Sequence, residues 1–207
     1  MTEVATASWN NPHPNPPGDW NCWLRGCTID SVYNGQPRYA AAGLQSLVSA
    51  IRSTGAEQPI VLGGIDYNAD LSQLLTHLPV DRVHQLVASA HIYDFVQRQN
   101  VASLFHDQLE PIAKRMPVIV GELGERYCDS GAASYTRNVL RLIDTEKRKG
   151  NVMGVLEWTW NAEGGGSGWQ CPTGQYGEGG PVLIKSYDGT PTIMGSRFRQ
   201  WLASASS

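Results

Sequence analysis

The sequence has no long apolar run and no large excess of one charge. No stretch of its 207 residues approaches the roughly 18 consecutive apolar residues that a membrane-spanning helix needs. Lys and Arg number 16 against 19 Asp and Glu, a balance that does not give the basic surface required for nucleic-acid binding. Residues 1–8 have neither a basic segment nor an apolar core, so we read no signal peptide there. We expect a protein that engages neither membranes nor nucleic acids.

Motifs for metal ions and cofactors are also scarce. None of the four cysteines forms a CxxC pair, and the five histidines show no zinc-ligand spacing. No serine lies in a GxSxG elbow, and no glycine-rich phosphate loop opens a helix. The run Gly164–Gly168 is interpreted as a flexible loop. We therefore expect no metal site and no cofactor.

What the sequence does have is tryptophan and tyrosine. Seven tryptophans and eight tyrosines accompany only three phenylalanines. Both residue types combine a flat apolar face with a polar tip. That combination is typical of surfaces that bind sugars, but it is also found in ordinary cores. Composition alone leaves both interpretations open.

Continuous apolar strands alternate with amphipathic helices along most of the chain. The pattern predicts strands at 59–63, 85–91, 117–121 and 152–156, a candidate fifth at 4–9, and strand-like residues at 182–184. It predicts helices at 38–54, 100–115, 131–149 and 194–203, and a short helix capped by Asp70. Residues 9–37, rich in Pro and Gly, are predicted as loop. The alternation indicates an α/β fold, with a parallel sheet covered by helices and residues 1–207 as one domain.

A carboxylate stands at the end of one predicted strand. Glu122 directly follows the apolar run Val118–Gly121, and a carboxylate at such a position is unfavourable unless it is used or paired. Two interpretations stay open: a functional group, or a structural ion pair with a residue such as Arg126. Glu125, three residues later, is interpreted as a solvated loop residue.

Two further strand ends carry residues of interest. His91 and Tyr93 are two positions apart, so on an extended strand they share a face and can point into a pocket beside Glu122. The alternative is a buried pair satisfied by the backbone. Trp158 and Trp160 also share a face, either as core aromatics or as a platform for a sugar ring.

Taken together, these motifs resemble those of glycoside hydrolase family 5 cellulases, in the family's order. The motifs that carry the resemblance are Asn10-x-Pro12-His13-Pro14, Gly43–Gln45, Ala50–Arg52, Ala88–Tyr93, Pro117–Gly124, Glu157–Asn161 and Ser186–Pro191. The resemblance implies a (β/α)₈ barrel that cleaves β-glucan or β-mannan polysaccharides with retention of configuration. It also implies an extracellular protein whose partner is a polysaccharide or oligosaccharide substrate.

The resemblance assigns the catalytic roles. Glu122 matches the nucleophile at the end of the family's strand seven, and His91 and Tyr93 match the pair that orients the nucleophile and the sugar. The family's strand four normally ends in Asn-Glu-Pro, whose Glu is the general acid/base, whereas this chain has Asn11 at that position. An amide cannot protonate the leaving oxygen, so we expect impaired catalysis. Asp19 and Glu157 are the alternative carboxyls, and strand alternation turns Glu157 away from the face of Trp158.

The resemblance assigns substrate-binding residues as well. Trp158 matches the platform under the reacting sugar, and we place Trp160 beside it. Asn10 matches the asparagine that binds the sugar 2-hydroxyl, and His13 belongs to the same motif. The alternative to an enzyme is a catalytically silent protein that uses these residues only to bind carbohydrate.

The match to the family begins at strand four, which implies a partial barrel without strands one to three. An unclosed barrel exposes strand edges and apolar surface, so we expect self-association or a complementing half-barrel. The third reading is a truncated fragment that needs such a partner. For the cysteines, two disulfides (Cys22–Cys27 and Cys128–Cys171) and four free thiols are both open.

Overall fold

The structure, a computed structural model, describes residues 2–4, 19–29, 39–94, 100–125, 133–162 and 181–205. Its strands are β1 (Thr2–Val4), β2 (Gly26–Ile29), β3 (Tyr39–Ala42), β4 (Ile60–Gly63), β5 (Leu86–Tyr93), β6 (Val118–Gly124) and β7 (Gly154–Glu157). Its helices are α1 (Trp20–Arg25), α2 (Leu44–Ser53), α3 (Val101–Leu104), α4 (Glu110–Ala113), α5 (Ser134–Arg148) and α6 (Ile193–Ala205). A 3₁₀ turn covers Leu74–Thr76, and a π-helical turn, Phe105–Leu109, joins α3 to α4.

By their internal contacts the residues fall into two compact units. Unit 1 comprises Met1–His91 and Leu104–Ile119, and unit 2 comprises Ile92–Ser103 and Val120–Ser207. The strands β5 and β6 therefore contribute residues to both units. That residues 1–207 form one domain remains a prediction.

In unit 1 the strands follow the order β1, β4, β5, β6. Strand β4 is parallel to β1, with Thr2 opposite Ile60, and parallel to β5, with Ile60 opposite Leu86. The amide of Ala88 donates to the carbonyl of Pro117 at 2.9 Å, where β6 begins. All four residues of β4 are buried, as expected for a continuous apolar run in a parallel sheet. The α/β alternation predicted from the sequence is confirmed.

Two sequence predictions in unit 1 are wrong at their boundaries. Residues 20–29, predicted as loop, form α1 and β2, because Asp19 caps the helix and Trp20 and Trp23 bury their rings. Residues 39–42, predicted as the start of a helix, form β3 instead. They pair antiparallel with β2, with Cys27 opposite Ala41, and the helix starts only after Gly43.

A buried ion pair holds α2 in unit 1. The guanidinium of Arg52 makes two bonds to Asp81, Nε to Oδ1 at 2.7 Å and Nη2 to Oδ2 at 3.0 Å. This guanidinium holds the pKa of the Asp81 carboxyl far below its usual range. Because both side chains are buried, the loss of either would leave an uncompensated charge in the interior.

Unit 2 contains the last residues of β5 and β6, followed by β7. Helices α5 and α6 pack together, and Trp201 Nε1 donates to Asp144 Oδ1 at 2.8 Å between them. Residues 182–184, predicted as strand-like, make only an isolated antiparallel bridge, Ile184 with Pro191. Across the described ranges, no helix has the length and apolar character needed to cross a membrane.

Candidate active site

The carboxylate of Glu122 and the phenol of Tyr93 are joined directly in unit 2. Tyr93 is the last residue of β5, and its hydroxyl donates to Glu122 Oε2, on β6, at 2.5 Å. A hydrogen bond from a hydroxyl to a carboxylate is shorter and stronger than a hydrogen bond between two neutral groups. The hydrogen bond from Tyr93 holds the carboxylate of Glu122. Because Glu122 is only half-buried, its side chain stays accessible to solvent. The structure thus brings together two of the predicted site residues.

The ring of Tyr93 fits because residue 124 is glycine. A Cβ placed on Gly124 would lie 2.5 Å from Tyr93 Cε1 and 2.8 Å from the Cβ of Pro181. Neither approach is compatible with van der Waals contact. Gly124 was not identified as a site residue from the sequence, although it belongs to the motif Pro117–Gly124 that contains Glu122.

Trp158 lies immediately after β7 and is tied to the chain beside Glu122. Its amide donates to the carbonyl of Leu123 at 2.9 Å, and the Trp158–Thr159 peptide bond is cis. The side chain of Trp158 is 44% exposed and that of Trp160 is 68% exposed. Neither ring is buried in the core of unit 2, and the choice between barrel-wall aromatics and a sugar platform stays open.

His91 and its side-chain partner, Asn68, both lie in unit 1. His91 is buried, and its Nε2 lies 3.0 Å from Asn68 Nδ2. Asn68 was missed from the sequence. The signal available was a Gly63-Gly64 pair directly after an apolar strand, followed by the turn-forming residues Asp66 and Asn68.

Glu125 is not a solvated loop residue, and that prediction is wrong. It is only 7% exposed, and its carboxylate accepts hydrogen bonds from the amides of Tyr135 (3.3 Å) and Thr136 (2.8 Å). These amides open helix α5 and have no acceptor within the helix. Glu125 therefore stabilises the helix start through both hydrogen bonding and the helix dipole.

Glu157 is a carboxyl of a different kind. Both of its oxygens are shielded from solvent, and neither has a hydrogen-bond partner among the residues that the structure describes. Burial raises the pKa of the Glu157 carboxyl to about 9, and the charge of Glu125 adds to the rise. The group is thus protonated at neutral pH, but it is too enclosed to protonate a bound leaving group. Asp19, the other alternative acid, instead caps α1 by accepting from the amide of Cys22 at 2.9 Å.

Several predicted residues lie outside the described part of the chain. They are Asn10, Asn11, His13, Arg126, Cys128 and Cys171. Of the two candidate disulfides, Cys22–Cys27 is formed, with a Cα–Cα distance of 5.1 Å. Among the residues that the structure describes, no group of three or more His, Cys, Asp or Glu side chains is arranged to hold a metal ion.

One family model matches most of the chain. Residues 1–164 match cellulase, glycosyl hydrolase family 5. No curated protein sequence matches the chain. Among solved structures, a beta-glucanase from Saccharophagus degradans is similar in its native form (22% identity, TM-score 0.56) and in complex with cellotetraose (21%, TM-score 0.58). Each of these two comparisons covers 79% of this chain and 46% of that one.

A second similar structure is an endoglucanase from Pseudomonas stutzeri in complex with cellobiose. It is 20% identical, with a TM-score of 0.50, and the match covers 76% of this chain and 48% of that one. The chain therefore spans about half the length of these solved structures. The likeness shows a shared α/β fold of the TIM-barrel type. With the family match over residues 1–164, the chain belongs to the cellulases of glycosyl hydrolase family 5.

Proposed function

We propose that this chain carries the nucleophile side of a retaining β-glucan hydrolase, with Glu122 as the nucleophile. The observation that supports this most is the 2.5 Å bond from the Tyr93 hydroxyl to Glu122 Oε2 at the ends of β5 and β6. Active sites of barrels of this kind are built at the carboxyl ends of the strands. The Tyr93 hydroxyl holds the Glu122 carboxylate at this edge of the sheet.

In the proposed reaction the carboxylate oxygen of Glu122 attacks the anomeric carbon of the sugar. The bond from that carbon to the leaving oxygen breaks, and the electron pair goes to the leaving group, giving a glycosyl ester of Glu122. Water then attacks the anomeric carbon, the bond to Glu122 breaks to release its carboxylate, and the water proton passes to solvent, so that two inversions give the original configuration. Tyr93 acts as a positioning residue that keeps the carboxylate aligned for attack.

The proposal gives the tryptophans the role of a sugar platform. Trp158 follows the strand next to Glu122, and Trp160 presents its ring to solvent two residues later. Exposed flat rings of this size bind the apolar faces of pyranose rings. By their match to the family, we assign Asn10 and His13 to substrate binding and His91 to orienting the nucleophile and the sugar.

The proposal also includes a defect in the second carboxyl group. Retaining hydrolysis uses two carboxyls about 5–5.5 Å apart, and Asn11 occupies the position of the acid/base residue. General acid help is typically worth about 10²–10⁴-fold. We therefore expect natural β-glucans to be cleaved very slowly, whereas aryl glycosides, whose leaving group departs as a stable anion, are cleaved measurably.

The experiment compares 2,4-dinitrophenyl β-cellobioside with cellohexaose, with and without azide. The proposal predicts release of dinitrophenolate, faster in azide and with β-cellobiosyl azide as product, because azide attacks the glycosyl ester without needing a base. Asn11→Glu should remove the azide effect, and it should raise cellohexaose turnover only when the missing half of the barrel is also supplied. Ordinary turnover of cellohexaose by the unmodified chain would contradict the role given to Asn11.

The second candidate is a carbohydrate-binding protein without catalysis, favoured by the exposure of Trp158 and Trp160. It predicts quenching of tryptophan fluorescence by cello-oligosaccharides, with no dinitrophenolate released under any condition.

Because the chain spans about half the length of the similar structures, we add a complementing segment to the proposal. It comes from further sequence of the same protein or from a second molecule. Light scattering at micromolar concentration should detect self-association, and a monodisperse monomer would contradict the second-copy version.

A further inference from the structure

We propose that Asn68 is a positioning residue that holds the imidazole of His91 in one orientation and one tautomer. Asn68 is 2% exposed and His91 is 3% exposed, so the pair is shielded from water. The Asn68 side-chain nitrogen lies 3.0 Å from His91 Nε2. The main chains are joined too, because the amide of His91 donates to the carbonyl of Asn68 at 3.0 Å. Asn68 thus fixes both the backbone and the ring of His91.

The last residue of β4 makes room for this carboxamide. A Cβ on Gly63 would lie 2.0 Å from Asn68 Oδ1 and 2.4 Å from Nδ2. The next residue is equally restricted, since a Cβ on Gly64 would lie 2.0 Å from the carbonyl oxygen of Asp70. The Gly63-Gly64 pair therefore allows the turn after β4 to fold back against the strand.

The turn that carries Asn68 has a strained backbone. Asp66, Tyr67 and Asn68 have φ values of 54°, 57° and 61°, and three successive left-handed residues other than glycine are unusual. The turn is closed by two bonds between Ile65 and Asp70, of 3.1 and 3.2 Å. Such a conformation persists only where surrounding contacts determine it. Here those contacts include both bonds to His91.

The chemistry of the pair selects the tautomer. An amide nitrogen only donates, so Nε2 of His91 must accept, and a neutral ring then carries its proton on Nδ1. The ring therefore offers Nδ1–H as its donor. This assignment rests on the proposed function only insofar as His91 belongs to the substrate site.

The test is long-range ¹⁵N–¹H NMR of the histidine rings, which distinguishes the two tautomers and the imidazolium. The His91 signals are assigned by their loss in His91→Gln. The unmodified chain is expected to show the Nδ1–H form. Asn68→Asp places an acceptor against Nε2 and should move the proton to that atom. Asn68→Gly removes the carboxamide with a residue that accepts a positive φ, and should give a mixture of tautomers.

Asp66→Gly is the control for backbone strain, because it places glycine at another left-handed position of the same turn (φ 54°) and keeps the Asn68 carboxamide. It should keep the Nδ1–H form. An Nε2–H form in the unmodified chain, or an unchanged spectrum in Asn68→Gly, would overturn the assignment. With dinitrophenyl cellobioside, Asn68→Gly should lower kcat by about 10- to 100-fold at similar KM. If the unmodified chain has no activity, the proposed function fails, while the NMR spectra still decide the role of Asn68.

Discussion

The ends of strands β6 and β7 carry two glutamates in opposite situations. Glu122 on β6 is half-buried and receives a short hydrogen bond from Tyr93. Glu157 on β7 has both oxygens enclosed and, within the described part of the chain, no hydrogen-bond partner. Glu122 lies two residues before the end of β6, and Glu157 is the last residue of β7. Position on a strand therefore does not determine what a carboxyl does, and its partners and its access to solvent do.

A third glutamate completes the comparison. Glu125 lies three residues after Glu122, is as buried as a core residue, and caps helix α5. The same substitution, Glu to Gln, is therefore expected to have three different effects at these positions. The substitution removes the charge while it keeps the size of the side chain.

Glu122→Gln is expected to have the largest effect. An amide is a very poor nucleophile, so release of dinitrophenolate from the aryl cellobioside should fall by roughly 10⁴-fold or more. Folding stability should change little, because the group is half-exposed. The matched control is Glu57→Gln, an exposed carboxylate in unit 1, which should react at the normal rate. Equal rates for both variants would contradict the contrast between Glu122 and the other carboxyls.

Glu157→Gln is expected to stabilise the fold, and the gain should depend on pH. The carboxyl has an ordinary pKa of 4.5 when unfolded and a pKa of about 9 when folded. Below pH 4.5 the ionisation of Glu157 does not reduce the free energy of unfolding. As the pH rises from 4.5 towards 9 that free energy falls, because only the unfolded state releases the proton of Glu157. The loss at pH 7 is on the order of 3 kcal/mol, and the neutral Gln avoids it.

Urea unfolding of the wild type and of Glu157→Gln at pH 4.5 and pH 8 measures this gain. The two proteins should be similar at the lower pH and clearly separated at the higher one. A difference that does not change with pH would mean that Glu157 ionises as easily in the folded chain as in the unfolded chain.

Gly124→Ala sharpens the comparison by disturbing the partner of Glu122 and leaving the carboxylate in place. The added methyl group overlaps the ring of Tyr93, and overpacking of this kind costs about 1–3 kcal/mol of stability. Tyr93→Phe, which loses only the hydroxyl, should lower aryl glycoside turnover by about 10- to 100-fold, as expected for a bond to a charged group. Gly124→Ala should lose activity to a similar extent. Full activity in both variants would show that Tyr93 does not position Glu122.

Glu125→Gln is expected to have the smallest effect. Gln can still accept one hydrogen bond from the start of α5, but the favourable interaction of a charge with the helix dipole is lost. The free energy of unfolding at neutral pH should fall by about 1 kcal/mol. Aryl glycoside turnover should not change, and a large loss of activity would mean that the cap also shapes the substrate site.

Much of the fold could be predicted because apolar runs alternate with amphipathic helices. The strands at 60–63 and 118–124 and the helix at 134–148 lie where periodicity placed them, within a few residues. The segment at 20–29 was missed because its structure depends on a disulfide and on two buried tryptophans. Local secondary-structure propensity does not reveal either contact. Local composition there is typical of a loop.

The candidate site divides in the same way. Glu122, Tyr93 and Trp158 could be named from their places after apolar runs, and the structure joins the first two directly. Asn68, Gly124 and the cap by Glu125 could not, because each depends on a tertiary contact of one side chain or of a missing Cβ. A sequence pattern indicates where a strand ends, but it does not indicate which groups meet there.

The most direct test of the account is to trap the intermediate on Glu122. The chain is incubated with 2,4-dinitrophenyl 2-deoxy-2-fluoro-β-cellobioside, digested, and its peptides are analysed by mass spectrometry. The account predicts one fluorocellobiosyl group, bound as an ester to Glu122 and absent from Glu122→Gln. A label on another carboxyl, or no label on the folded protein, would contradict the assignment of Glu122 as the nucleophile.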